Sequence, residues 1–162
     1  MTSAIKVSST RLRQLFGAHP TGVVFVSGLV NERPVGLAAS SFTSVSLDPA
    51  LVSISVAHTS TTWPLLRSLP RLGITVLSTD HAGVVRQLAG SGGDRFASLQ
   101  WWSTLGGAVL LDGAAAWFEV ALAQQVPAGD HDIVVLSVHE ADVVESVVPL
   151  VFHASRFTGV QP

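Results

Sequence analysis

Small hydroxyl side chains are concentrated in one segment of the sequence, Ala38-Ala39-Ser40-Ser41-Phe42-Thr43-Ser44-Val45-Ser46-Leu47-Asp48-Pro49. Serine and threonine hydroxyls, together with backbone N–H groups left free at a strand end, can converge on a phosphate or on the polar edge of a flat heterocycle without any positive charge. Hydroxyls of this kind also commonly bond to nearby backbone, in which case the segment is only a serine-rich turn. The composition of the segment leaves both interpretations open.

A second segment, Pro127-Ala128-Gly129-Asp130-His131, combines turn residues with an imidazole. Glycine followed by aspartate is typical of a tight turn between two strands. An imidazole at the end of such a turn could stack on a bound ring at the mouth of a barrel, or it could simply cap a strand end. The segment therefore makes His131 a candidate ligand-binding residue.

The longest stretch without a predicted element is 90–107, which contains Asp94, Arg95, Phe96 and the Trp101-Trp102 pair. Loops of this length are uncommon in compact domains and are usually functional or mobile. The stretch is therefore a candidate part of a site, and equally a surface loop whose tryptophans pack on another subunit.

Several kinds of site are excluded by the sequence. The glycine-rich stretch Gly90-Ser91-Gly92-Gly93 has no Lys-Ser or Lys-Thr after it and does not lie between a predicted strand and a helix, which excludes P-loop and Rossmann sites. The 6 histidines include no HExxH pair, no GxSxG motif is present, and the chain has no cysteine. We expect no metal site and no acyl-transfer chemistry.

Composition bounds the class of protein. The 162 residues have the length of a single domain, 1–162, in which we expect residues 1–8 to be a flexible tail. Only 12% of the residues are charged, against about 25% in ordinary domains, which indicates either an unusually large buried fraction or a surface that is covered, most simply by another subunit. A net charge of −2 gives no basic patch for nucleic acid. Because no export signal is present and no apolar run reaches about 18 residues, we expect a cytoplasmic protein without a membrane segment.

Short apolar runs rich in valine and isoleucine recur about every eight to twelve residues between Gly, Pro, Asp or Ser. This spacing predicts a mainly β fold, a sandwich or barrel, with two or three short helices. The predicted strands are 22–27, 34–40, 51–57, 72–77, 108–111, 116–124, 132–145 and 150–153. The predicted helices are 9–18, a helix capped by Ser60 or Thr61 that carries Leu65, Leu66 and Leu69, and 81–89 with Asp80 as its N-cap.

Blocks of sequence that could each arise by chance follow one another along nearly the whole chain. They are His19-Pro20-Thr21-Gly22-Val23-Val24, the segment from Gly36 to Pro49, Asp94-Arg95-Phe96, Leu111-Asp112-Gly113-Ala114, Gly129-Asp130-His131 and Pro149-Leu150-Val151-Phe152-His153. In order and spacing they resemble the flavin reductase family, the small reductase components of two-component flavin monooxygenases. The hydroxyl-rich block and the Gly-Asp-His turn are the most specific of them.

The resemblance implies an FMN-binding split β-barrel, mainly β with a few short helices, that forms a homodimer with flavin near the subunit interface. It implies an NAD(P)H:flavin oxidoreductase that reduces FMN or FAD by hydride transfer from NADH or NADPH. The reduced flavin would pass to a partner monooxygenase. Two alternatives remain, a non-catalytic flavin-binding split-barrel protein and an enzyme similar to pyridoxamine-phosphate oxidases, although the few Arg and Lys suit a pyridoxal phosphate site poorly.

The resemblance also implies residue roles. Thr21 and Gly22 would approach the flavin ring, and Ala39, Ser40 and Ser41 would bond its polar edge. The other implied cofactor-binding residues are Thr43, Ser46, Ser60 and Thr61 at the ribityl chain and phosphate, Arg95 as the cation for the phosphate, Phe42 and Phe96 within the matched blocks, and Phe157 packed on a ring. Free N–H groups at the start of a helix independently favour an anion beside Ser60 and Thr61. His131 would place the nicotinamide, with Asp130 orienting it.

Overall fold

The computed structural model describes residues 7–160, so most of the predicted tail lies outside the described residues. The helices are α1 (Ser9–Gly17), α2 (Trp63–Leu66) and α3 (Val85–Ala89), with a 3-10 turn at Thr79–His81. The strands are β1 (Thr21–Gly22), β2 (Val24–Val30), β3 (Arg33–Ala39), β4 (Thr43–Leu47), β5 (Ala50–Ala57), β6 (Leu72–Val76), β7 (Trp101–Ser103), β8 (Val109–Leu111), β9 (Ala116–Ala128), β10 (His131–Val143), β11 (Leu150–His153) and β12 (Arg156–Gly159). The prediction of a mainly β chain with a few short helices is confirmed.

Seven strands form one antiparallel sheet in the order β3-β2-β6-β9-β10-β5-β4. The other strands of the described residues form two small sheets, β1-β11-β12 and β7-β8. The long hairpin of β9 and β10 lies between β6 and β5, and its tip brings His131 opposite Ala57 at the end of β5. The sheet order thus places the predicted Gly-Asp-His turn beside the carboxyl end of β5.

Two apolar clusters pack on opposite faces of the sheet. Alternation along β5 directs Val52, Ile54 and Val56 into the first cluster, as a period of two requires. Strand β2 contributes to both clusters, with Val24 in the first and Phe25 in the second. Burial on both faces explains why β2 begins with three consecutive apolar residues, Val24, Phe25 and Val26, rather than with an alternating pattern.

The predicted helix at 81–89 is wrong at its start. The chain makes a 3-10 turn there, and the helix proper begins only at Val85. Asp80 is not an N-cap, because the N-cap of α3 is Val84 and that of the 3-10 turn is Ser78, whose backbone N–H donates to His81 Nδ1 at 3.0 Å. The chain forms a 3-10 turn here because the buried imidazole of His81 bonds Ser78. The spacing of apolar residues does not predict this contact.

The helix predicted after Ser60 is shorter than expected. The N-cap is Thr62, without a side-chain cap bond, rather than Ser60 or Thr61 as predicted. Ser60 Oγ does accept a hydrogen bond from the backbone N–H of Trp63 at 3.1 Å. The helix ends at Leu66, so Leu69 lies beyond it. Within residues 7–160, no helix is long and apolar enough to cross a bilayer.

Candidate functional site

The first cavity, which we call the Ser40 cavity, lies where β3, β5 and β10 end or begin. Its volume is about 340 Å³. The lining residues are Leu37, Ala38, Ala39, Ser40, Ser41, Ser55, Val56, Ala57, Ser60 and His131. Two predicted site segments that are far apart in sequence, the hydroxyl block and the Gly-Asp-His turn, therefore meet in one cavity.

A second cavity, the Arg95 cavity, follows the first along β3 and has a volume of about 250 Å³. It is lined by Pro34, Val35, Gly36, Thr61, Thr62, Ser91, Gly92, Gly93, Asp94, Arg95 and Phe96. Ser60 borders the first cavity and Thr61 the second, so the loop after β5 forms one side of both. The two cavities are lined by consecutive parts of β3, and we refer to them together as the groove.

Two further cavities share Ser40 with the groove. The Thr21 cavity, of about 620 Å³, is lined by Arg13, Leu15, Phe16, Gly17, His19, Thr21, Ser40, Phe152 and Ser155. The Phe157 cavity, of about 160 Å³, is lined by Val23, Ala38, Ala39, Ser40, Ala89, Phe152 and Phe157. Ser40 therefore lies at the junction of three cavities, and its side chain is exposed.

Some hydroxyls of the block bond backbone, as in a serine-rich turn, and that of Ser40 remains available for a ligand. Ser41 Oγ donates to the carbonyl oxygen of Ser55 at 3.2 Å and accepts from the backbone N–H of Ser55 at 2.8 Å. Thr43 Oγ1 donates to the carbonyl oxygen of Ser41 at 3.5 Å. These two hydroxyls satisfy backbone, as in a serine-rich turn, whereas no described residue bonds the hydroxyl of Ser40.

Five predicted cofactor contacts lie outside the cavities or in the core. Phe42 packs on Phe118 with ring centroids 5.5 Å apart, and Ser46 lies on the edge strand β4; like Thr43, neither lines any of the four cavities. Gly22, paired with Val151 across β1 and β11, does not line them either. Phe96 is only 6% exposed, packs edge-on against Phe25 and borders the Arg95 cavity from the core side.

Thr21 has a buried hydroxyl without a partner. Thr21 Oγ1 is the only buried side-chain nitrogen or oxygen in the described part of the chain that lacks a hydrogen bond. A buried hydroxyl without a partner costs free energy, and native structures therefore rarely leave one. Thr21 also lines a cavity that it shares with Ser40.

Part of the guanidinium group of Arg95 forms hydrogen bonds that join three segments lining the groove. Nη1 donates to the carbonyl oxygen of Gly36 and, at 3.1 Å, to Thr62 Oγ1, while Nε donates to the carbonyl oxygen of Gly90 at 2.7 Å. No described residue bonds Nη2, which leaves two N–H donors of the guanidinium group for an anion. Gly36 and Thr62 were missed by sequence reasoning, since only the folded chain brings them to Arg95.

His131 is held by its neighbour. His131 Nδ1 lies 2.7 Å from Asp130 Oδ1, and this hydrogen bond lowers the pKa of Asp130 below its usual value. An ionised carboxylate only accepts, so Nδ1 carries the hydrogen and Nε2 is free for a ligand. His58 Nε2 makes a similar contact of 3.0 Å with Asp132 Oδ1, which likewise lowers the pKa of Asp132.

The chain matches the family model described as flavin reductase like domain over residues 16–161. An NADH:FMN oxidoreductase of Rhodococcus qingshengii is 36% identical over 149 residues, 89% of this chain and 78% of that protein. The reductase component of the flavin-dependent trigonelline monooxygenase of Acinetobacter baylyi is 38% identical over 125 residues, 76% of this chain and 40% of that protein.

Among solved structures, an NADH:FAD oxidoreductase of Streptomyces globisporus in complex with NAD and FAD fragments superposes with a TM-score of 0.88. The two chains are 34% identical, and the match covers 94% of this chain and 93% of that one. The family model and these relatives agree with the resemblance drawn from the sequence blocks. The chain therefore belongs to the flavin reductase like domain family.

Proposed function

We propose that this chain is an NAD(P)H:flavin oxidoreductase that reduces FMN or FAD and supplies the reduced flavin to a separate monooxygenase. The observation that carries the proposal is the Ser40 cavity, where the hydroxyl block and His131 border the same space. A chain that only stored flavin would not need the Gly-Asp-His turn at this place. Membership of the family and the names of the relatives support the same activity.

The residues present fit a flavin. Thr21 and Ser40 line a common cavity, and their hydroxyls have no hydrogen-bond partner among residues 7–160, so we assign them to the polar edge of a flat ring. Ala39 and Ala57 supply apolar walls that suit the faces of such a ring. Thr61 and Arg95 border the neighbouring cavity, where a hydroxyl and two free N–H donors can receive a phosphate.

A bound flavin supplies the hydride acceptor, and the protein contributes placement. His131 would hold the nicotinamide through its free Nε2, and Asp130 keeps the imidazole in that orientation. Hydride transfer between two stacked rings needs no protein acid or base, so neither residue has to exchange a proton in that step. Loss of His131 is therefore expected to raise the KM for the nicotinamide nucleotide more than it changes flavin affinity.

We propose a homodimer built on a split barrel. Val126 and Ile133 lie opposite each other on β9 and β10 and are 40% and 42% exposed. Directly opposed residues share one face of a sheet, and His131 lies on the face of Ile133 because it is two positions earlier. A second copy covering this face would bury the apolar residues and lie beside the site.

The test of the activity is oxidation of NADH and of NADPH, followed at the nicotinamide absorbance band, with FMN, FAD or riboflavin added in turn. His131→Ala is compared with His139→Ala, an exposed histidine of the same strand. We expect turnover that depends on added flavin and falls at least about tenfold in kcat/KM for His131→Ala alone. Flavin binding without nicotinamide oxidation would contradict the proposal, and sedimentation velocity tests the dimer separately.

A further inference from the structure

Two segments border the Ser40 cavity opposite β3. One is the loop after β5, which carries Ser60, and the other is the hairpin turn that carries His131. Their main chains are hydrogen-bonded to each other, since the backbone N–H of His58 donates to the carbonyl oxygen of Asp130 at 3.0 Å. Side chains extend this connection further along the loop.

Asp132 is the centre of that side-chain connection. Its Oδ1 lies 3.0 Å from His58 Nε2, and its Oδ2 accepts from Gln125 Nε2 at 2.6 Å. Gln125 Oε1 in turn accepts from the indole N–H of Trp63 at 3.2 Å. Trp63 is 4% exposed, and its backbone N–H donates to Ser60 Oγ. The chain of hydrogen bonds thus runs from His58 through the hairpin and back to the wall of the cavity.

Packing alone does not account for this set of polar residues. Asp132 is on the same face of β10 as the buried Val134 and Leu136, and its side chain is 16% exposed. A carboxylate directed toward an apolar core costs free energy unless it is paired and hydrogen-bonded, and apolar residues fill such positions at least as well. A fully satisfied polar network does, however, fix the relative position of the groups that it joins.

Asp132 does not line the Ser40 cavity, whereas its neighbour His131 does. The two side chains point to opposite faces of β10, because successive residues of a strand alternate. Any effect of Asp132 on a ligand in the cavity is therefore transmitted through the loop and the hairpin.

We propose that His58, Asp132 and Gln125 are positioning residues for flavin reduction, whose hydrogen-bonded chain holds the Ser60 loop at a set distance from the Asp130-His131 turn. The inference rests on the proposed function, in which the loop borders the flavin and the turn holds the nicotinamide. Stacked transfer depends on the spacing of the two rings, and a displacement of about 1 Å can cost a large factor in rate. Support beyond the direct contacts is what keeps such a spacing.

The test uses the full chain and compares His58→Ala, His58→Gln, Asp132→Asn and the double variant with His58→Ala and Asp132→Asn. Glutamine keeps an N–H donor for Asp132, whereas alanine has none. Asp142→Asn is the matched control, because Asp142 lies on the exposed end of the same strand and bonds only the backbone N–H of Val143. The readouts are kcat and KM for NADH at saturating FMN, the FMN dissociation constant without nicotinamide, and the melting temperature.

We expect His58→Ala and Asp132→Asn each to lower kcat/KM for NADH by about tenfold, with FMN affinity changed much less. The double variant should be no worse than the poorer single variant, since both changes break one connection. His58→Gln should recover most of the loss, and Asp142→Asn should equal the wild type. This pattern would not arise if the residues only added stability.

Unchanged kcat/KM in His58→Ala, or additive losses in the double variant, would overturn the inference while leaving the flavin reductase activity intact. A wild-type chain that binds FMN but never oxidises NADH or NADPH would overturn the proposed function and the inference with it. If Asp132→Asn does not fold, the alanine and glutamine variants of His58, which is 46% exposed, decide the question alone.

Discussion

The guanidinium group of Arg95 is hydrogen-bonded to the main-chain carbonyl of Gly36, which fixes the loop after α3 to the middle of β3. Gly36 is buried, and a Cβ added to it would lie 2.5 Å from the ring of Phe25, so β3 approaches the core at this point as only glycine allows. Arg95 has become part of the wall of the groove, and its Nη2 is the part that remains for a ligand.

Comparing two flavins with a variant of Arg95 distinguishes its hydrogen bonds to the protein from its proposed bond to a phosphate. If Arg95 binds the phosphate as proposed, Arg95→Gln should weaken FMN binding by about tenfold, because a charged hydrogen bond would be lost. Riboflavin has no phosphate, so its affinity should change by less than about twofold. Fluorescence titration of both flavins measures this difference, with the exposed Arg86→Gln on α3 as the control. An equal loss for FMN and riboflavin would show that Arg95 only braces the groove.

Thr21→Val removes the unpartnered hydroxyl with little change in shape. Because Thr21 Oγ1 is buried without a hydrogen bond, the ligand-free variant should be as stable as the wild type or more stable. If a flavin supplies the missing bond, FMN affinity falls by about five- to tenfold, the equivalent of one hydrogen bond. Melting temperatures with and without FMN test both parts at once. A variant less stable in the absence of flavin would mean that the hydroxyl has a partner in the protein.

Most strands of the main sheet were predicted from the sequence, and the hydroxyl block and the Gly-Asp-His turn do border one cavity. The hydrogen-bond partner of each hydroxyl was not predicted. Alternation along β5 and the turn chemistry before His131 are local signals, and both led to the correct elements. The commitment of Ser41 to Ser55 depends on a strand 14 residues away, which no local pattern encodes. Arg95 is the clearest case, since its partner Gly36 is 59 residues distant.

The helix error at 81–89 has the same origin. His81 is buried because its imidazole bonds Ser78 on one side and the carbonyl oxygen of Asp112 on the other, and Asp112 is 31 residues away. Apolar spacing alone cannot distinguish that turn from the first turn of a helix. Local signals therefore indicated two segments that border the Ser40 cavity, while contacts between distant segments determine which groups each side chain bonds.

Gly73 on β6 is required by a close approach of backbone. A Cβ at this position would lie 1.9 Å from the carbonyl oxygen of Val109 on β8, and a main-chain atom cannot move aside cheaply. We expect Gly73→Ala to lower the free energy of unfolding by about 3 kcal/mol, or to prevent folding. Gly17→Ala is the control, since nothing lies within 4 Å of its added Cβ. Urea denaturation should find the control unchanged or more stable by up to about 1 kcal/mol; similar stability of both variants would contradict the prediction.

Acid should destabilise the fold through His81. Burial lowers the pKa of His81 below its ordinary value of 6.5, so the unfolded chain binds this proton more tightly than the folded chain. The contribution of neutral His81 to stability is therefore complete above pH 6.5 and is lost as pH falls through the lowered pKa. Protonation would also take away the Nδ1 lone pair that accepts the N–H of Ser78. Melting temperatures between about pH 7.5 and about pH 5.5 should fall in the wild type and in His139→Gln. His81→Gln should be less stable at the upper pH but fall less steeply, and a slope equal to that of the wild type would assign the acid sensitivity to other groups.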